Sequence, residues 1–159
     1  MESGSLLLTI AQLAVAFAGF SAIIVALNNR PVRDWDATDR LNLRCLLQVS
    51  VFVIAFSLFP FLLAISLTKA GVWKVGTWVY GSLIVADASF FYAIMTKDSP
   101  RLFRNAAVGG IVIGVLQIAA AAVGTTASRE SMYVIALFWQ FGIVVMSFLL
   151  LLYQVRKRA

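Results

Sequence analysis

Ser131 to Gln154 reads SMYVIALFWQFGIVVMSFLLLLYQ, 24 residues without one charged side chain. A helix of that length covers roughly 36 Å at 1.5 Å per residue, enough to cross about 30 Å of hydrocarbon with some tilt. Four further long apolar stretches precede it, at about residues 5–27, 43–68, 72–95 and 103–124, with few charges among them. Hydrophobic residues make up 62% of the 159, and mean hydropathy is +0.93. A soluble domain is nearer half apolar, and its apolar residues are not gathered into runs of this length. The fold class that follows is all-α: a polytopic integral membrane bundle of five transmembrane helices. The longest polar loop, about residues 28–42, is too small to fold by itself, so one membrane domain over residues 1–159 is expected.

The charges give an orientation. Arg30, Arg33, Arg40 and Arg44 lie in or beside the first loop, Lys97, Arg101 and Arg104 in the third, and Arg156, Lys157 and Arg158 at the C-terminus. These ten fall on one side of a five-span chain. Lys69, Lys74 and Arg129 fall on the other. The positive-inside rule then places the N-terminus outside and the C-terminus in the cytoplasm, and an odd number of spans is what the asymmetry requires. Ala16-Phe17-Ala18 looks like a signal-peptide cleavage site. The leading segment, however, carries Glu2 and no basic residue, and the apolar run continues past the site, so the first segment is read as a true span.

Composition excludes several classes of function. The net charge of +6 is scattered over span ends and not gathered on one face among aromatics, so anionic lipid headgroups at the cytoplasmic loops are the expected partner and nucleic acid is not. Histidine is missing and Cys45 is the lone cysteine, which leaves no usual set of metal or haem ligands, no disulfide and no common general base. No metal and no cofactor are expected. Intramembrane aspartyl proteolysis needs two acids, and Asp87 is alone within the spans. The chain is read as no enzyme.

Local signals refine the spans. Ser99-Pro100 reads as a helix N-cap followed by proline at the first helical position, and Asp36 and Asp39 suit the start of the second helix, within reach of Arg33 and Arg40. Trp73, Trp78, Tyr80, Tyr92 and Tyr153 lie near span ends, as an interfacial aromatic belt would. Pro60 falls inside the second span and predicts a kink.

Two kinds of residue inside the spans carry information. Ala14, Ala18, Ala22 and Ala26 recur every four residues in the first helix, and Gly110 and Gly114 form a GxxxG pair in the fourth. Small faces let helix backbones approach closely, so these are packing faces, within one chain or between copies in a homo-oligomer. The polar residues are scarcer. Gln12, Gln48, Gln117 and Gln140 are spread over four spans, and each should face protein or water. Tyr133, Gln140, Ser147 and Gln154 repeat every seven residues and share one stripe of the fifth helix. Asp87 lies near the middle of the third span, Gln117 and Gln140 are read at comparable depth in the fourth and fifth, and the three form a candidate polar centre. An ionised carboxylate in hydrocarbon is costly, so Asp87 is either protonated and bonded to an amide or hydrated in a cavity.

The run Ala16-Phe17-Ala18-Gly19-Phe20-Ser21-Ala22 within the first helix is followed by a basic loop and Arg40-Leu41-Asn42-Leu43-Arg44. This resembles a group of small, uncharacterised bacterial multi-span proteins with an AFxGFSA-type first helix, over roughly the first third of the chain. The resemblance implies a bacterial inner-membrane setting and carries no activity or site. Calcium-release-activated channel subunits also have a small, glycine-containing first helix, but the acidic pore residue at its end is missing here. Two functions stay open: an ion channel or small-solute transporter with a mid-membrane polar centre, or a non-catalytic accessory or assembly subunit of a larger membrane complex.

Overall fold

The computed structural model describes residues 3–27, 32–95 and 101–158. The chain is all-helical, with five long helices and no strand among these residues: α1 (Gly4–Leu27), α2 (Ala37–Leu63), α3 (Lys69–Ile94), α4 (Arg101–Val123) and α5 (Thr126–Arg158). A short 3-10 turn, Val32–Asp34, precedes α2. All five helices are long and apolar enough to cross a membrane. Only 22–39% of the most apolar window of each is buried within the chain. Leu13, Phe20, Val51, Leu62, Val112, Leu116, Ile135 and Leu149 all turn outward. Water would not tolerate apolar faces of this extent, whereas hydrocarbon is their natural solvent.

Polar residues set several of the helix ends, outside the apolar runs. The Asp36 carbonyl accepts from the Arg40 N–H at 3.1 Å and opens the ladder of α2 six residues before the apolar run begins. Arg40 Nη1 donates to the carbonyls of Arg33 (3.1 Å) and Trp35 (2.6 Å), while Arg33 pairs with Asp34 at 3.5 Å. At its far end α2 stops at Leu63, three residues after Pro60, and loosens into turns where the Leu62 and Leu63 carbonyls accept i+3 bonds. The expected continuation to Thr68 is therefore cut short. Pro60 itself sits inside the helix, and its missing N–H and its ring act on the turn before it, not on the end at Leu63. Thr68 instead caps α3, its Oγ1 accepting from the Gly71 N–H at 3.4 Å.

Between α4 and α5 only Gly124 and Thr125 intervene. Thr125 accepts from the Ser128 N–H through Oγ1 at 3.3 Å, so α5 begins five residues before the apolar run. The Arg129 guanidinium reaches back to the Ala120 carbonyl at 3.4 Å, a cation at a helix C-terminus. A Cβ at Gly124 would collide with that same carbonyl, so the turn requires glycine. The Ser99-Pro100 cap, Arg30, Lys97 and the Gln154 side chain lie outside the described residues.

The chain divides into two compact units, and α2 and α5 contribute to both. One unit comprises residues 1–57 and 140–159. Its core holds Leu7, Ile10, Ala14, Leu46, Val49, Val53, Val144 and Leu151. Phe17 sets its ring edge-on to Phe141 (5.7 Å) and Phe148 (5.1 Å), and the buried Asn42 amide donates to the Ser147 carbonyl at 3.0 Å. The other unit, residues 58–139, is built on α3, α4 and the first half of α5. In lipid neither core is driven by the hydrophobic effect; close packing and internal hydrogen bonds hold it.

The aromatic belt is only partly an interface feature. Trp78, Tyr92 and Tyr153 face outward, but Trp73 and Tyr80 are wholly buried. They stand on the stripe Trp73, Thr77, Tyr80, Ile84 of α3, whose spacing of three to four turns them inward. Closeness to a span end along the chain does not say which face a residue occupies.

Candidate functional site

The unit of α3, α4 and early α5 contains a buried polar level that glycines make possible. A Cβ placed on Gly81 of α3 would stand 3.1 Å from both the Gln117 Cβ and the Gly114 carbonyl of α4. One on Gly114 would stand 2.6 Å from Val85 Cγ2 and 2.9 Å from the Gly81 carbonyl. One on Gly110 would meet Ala88 at 3.2 Å. The Gly110/Gly114 pair thus faces α3 within this chain, and backbone lies nearly on backbone. On the α5 side Gly76 gives room to the Tyr133 ring. Tyr133 contacts Tyr80 at 5.1 Å and Trp73 at 5.6 Å, and Thr77 Oγ1 donates to the Arg129 carbonyl at 3.4 Å.

Gln117 sits at the level of Gly81. Its side chain is fully buried, and neither amide atom makes a hydrogen bond within the protein. The indole N–H groups of Trp73 and Trp139 are buried in the same condition. A buried amide lacking partners costs on the order of 1–3 kcal/mol, so a leucine of similar size would hold these helices together better.

The helix register separates residues that counting along the sequence had placed together. Gly81 lies opposite Gln117 and Ala88 opposite Gly110, so α3 and α4 run antiparallel. Asp87 is six residues beyond Gly81 and therefore about 9 Å further along α3 than the Gln117 level. It is half-buried, at the flank of the inward stripe and seven residues before the end of the helix at Ile94. Asp87 and Gln117 thus occupy two successive levels of one unit, not one shared centre. Gln140 belongs to the other unit, where it is 4% exposed. Tyr133 and Ser147 of the same seven-residue stripe are buried as well.

The remaining sequence candidates fall as follows. Ala14 is sealed in the core, Ala18 is half-covered and Ala22 is exposed. Gln48 is half-buried, whereas Gln12 is exposed on the outer face of α1, against the expectation that every amide would turn inward. Sequence reasoning missed Thr77, Tyr80 and Trp73 as core polar residues, although their spacing with Gly76 and Gly81 was the available signal. Among the described residues no three His, Cys, Asp or Glu side chains stand together as a metal-ligand set. No protein-family model matches the chain, and no curated protein or solved structure is significantly similar to it.

Proposed function

We propose that this multi-pass membrane protein conducts a small cation across the bilayer, with Gln117 and Asp87 as successive polar stations in the α3–α4–α5 unit. The observation that carries this reading is the fully buried Gln117 amide, kept among apolar helices without a hydrogen-bond partner in the protein. Such a group lowers stability, and its carbonyl oxygen offers a dehydrating cation what water offered outside. Asp87 supplies the single carboxylate of the spans. The proposed setting is a bacterial inner membrane with the N-terminus outside, supported by the ten-to-three division of Lys and Arg between alternate loops. No enzymatic chemistry enters the reading.

Purified protein in liposomes with a potassium gradient, read by a potential-sensitive dye, tests it. Asp87→Asn should lower flux by at least about 10-fold, the factor for roughly 1.4 kcal/mol of lost cation stabilisation. Unchanged flux in Asp87→Asn and Gln117→Leu together would remove the proposal. Gln140→Leu is the third variant, and it asks whether the other unit takes part.

The outer face of α1 bears on a second reading, an accessory subunit of a larger complex. Ser5, Thr9, Gln12, Ala16, Gly19, Ile23 and Ala26 are all exposed, at alternating spacings of four and three. This is the spacing that a heptad seam between packed helices uses, and it lies directly opposite the core face of Leu7, Ala14 and Ser21. A second copy covering that seam agrees with the conduction reading, and a different chain covering it agrees with the accessory one. A homogeneous homo-oligomer on purification selects the first, and obligate co-purification with another chain selects the second.

A further inference from the structure

The first unit carries a groove of about 590 Å³ at the start of α2, lined by Val32, Arg40, Leu43, Arg44, Leu47, Gln48, Val51 and Phe52. Its order along the helix is the informative part. Arg40, Arg44, Gln48 and Phe52 follow one another at intervals of four, and Leu43, Leu47 and Val51 form the adjacent row. Side chains four apart lie on one face with their Cβ atoms about 6 Å apart, so Arg40 and Arg44 stand side by side at the mouth. Down the groove, charge gives way to an amide and then to apolar side chains. Arg40 is held in place there, because its Nη1 donates to the Arg33 and Trp35 carbonyls. Leu47 and Val51 are 41% and 62% exposed, so the apolar floor is open.

That gradient is the profile of one molecule, and the geometry points to a binding site for an anionic phospholipid: the phosphate lies between Arg40 and Arg44, and an acyl chain runs along Leu47, Val51 and Phe52. Two arginines match one phosphate diester by charge and by fork geometry. A soluble anion would use the arginines and leave the floor empty. A zwitterionic lipid would fill the floor but bring its own cation to the arginines. This inference does not depend on conduction and concerns the other unit of the chain.

The test uses the full-length protein in a mild detergent, titrated with phosphatidylglycerol, with phosphatidylcholine of the same acyl chains, and with inorganic phosphate. Native mass spectrometry reads stoichiometry and affinity. Saturable phosphatidylglycerol binding is expected, with phosphatidylcholine far weaker and phosphate unable to compete. Arg40→Gln with Arg44→Gln should weaken phosphatidylglycerol roughly 30-fold, while the charge-matched control Lys74→Gln with Arg104→Gln should change it by less than about 2-fold. If losing the Arg40 carbonyl bonds harms folding, Arg44→Gln and Val51→Gln carry the same test, each weakening the lipid. Equal weakening by groove and control pairs, equal binding of the two lipids, or competition by phosphate would overturn the site.

Discussion

At the scale of single residues, glycines decide what the α3–α4 pair can do. Gly114 has Val85 and the Gly81 carbonyl where a Cβ would go, and the carbonyl cannot turn aside as a side-chain tip can. Gly142 has nothing within 4 Å of the same position. The two glycines therefore predict opposite outcomes from one substitution. Gly114→Ala should destabilise the protein by about 1–3 kcal/mol through overpacking. Gly142→Ala should be neutral or stabilise by up to about 1 kcal/mol through helix propensity. Thermal unfolding of both variants in one detergent checks the pair, and equal shifts would deny the close backbone approach. The depth of Asp87 was misread because neighbouring spans run in opposite directions. Measured from the same membrane face, Asp87 is eight residues into the span at 72–95 and Gln117 fourteen into the span at 103–124, a difference of about 9 Å. The contact of Gly81 with Gly114 and Gln117 gives the same offset.

At the scale of elements, existence was legible and extent was not. Runs such as Ser131–Gln154 identify spans because no other medium suits 24 uncharged residues. Their ends moved because capping acts in polar sequence, beyond the apolar run. Asp36 extends α2 backward and Thr125 extends α5, while the far end of α2 loosens into turns after Leu63. The face of each helix was legible only where spacing was used. The seven-residue stripe of Tyr133, Gln140 and Ser147 is buried, while Trp73 and Tyr80, judged by position alone, were misplaced. In α1 the alanine stripe drew attention to Ala14, Ala18 and Ala22, yet the seam left uncovered is Ser5, Thr9, Gln12, Ala16 and Gly19. An exposed mid-span amide needs a partner in lipid, and a second Gln12 offers both donor and acceptor. On the proposed reading in which a second copy covers this seam, Gln12→Leu with Gly19→Leu should convert oligomer to monomer in crosslinking and light scattering, without lowering thermal stability. An unchanged oligomer would place its interface elsewhere.

At the scale of the whole molecule, the account rests on hydrocarbon as the solvent and on one orientation in it. Cys45 is buried, so a Cys45→Ala background accepts single reporters. In intact cells, an impermeant maleimide should label Ser66→Cys, in the turn after α2, and should spare Asp34→Cys before it. The reverse pattern would invert the topology. Gln117→Leu is the variant whose effects on stability and on the proposed conduction have opposite sign. Removing a buried amide without partners should raise thermal stability by about 1–3 kcal/mol, because the leucine costs no desolvation. Potassium flux through the same proteoliposomes should fall to the level of empty vesicles. A stabilised Gln117→Leu protein that conducts as well as the parent would contradict the account.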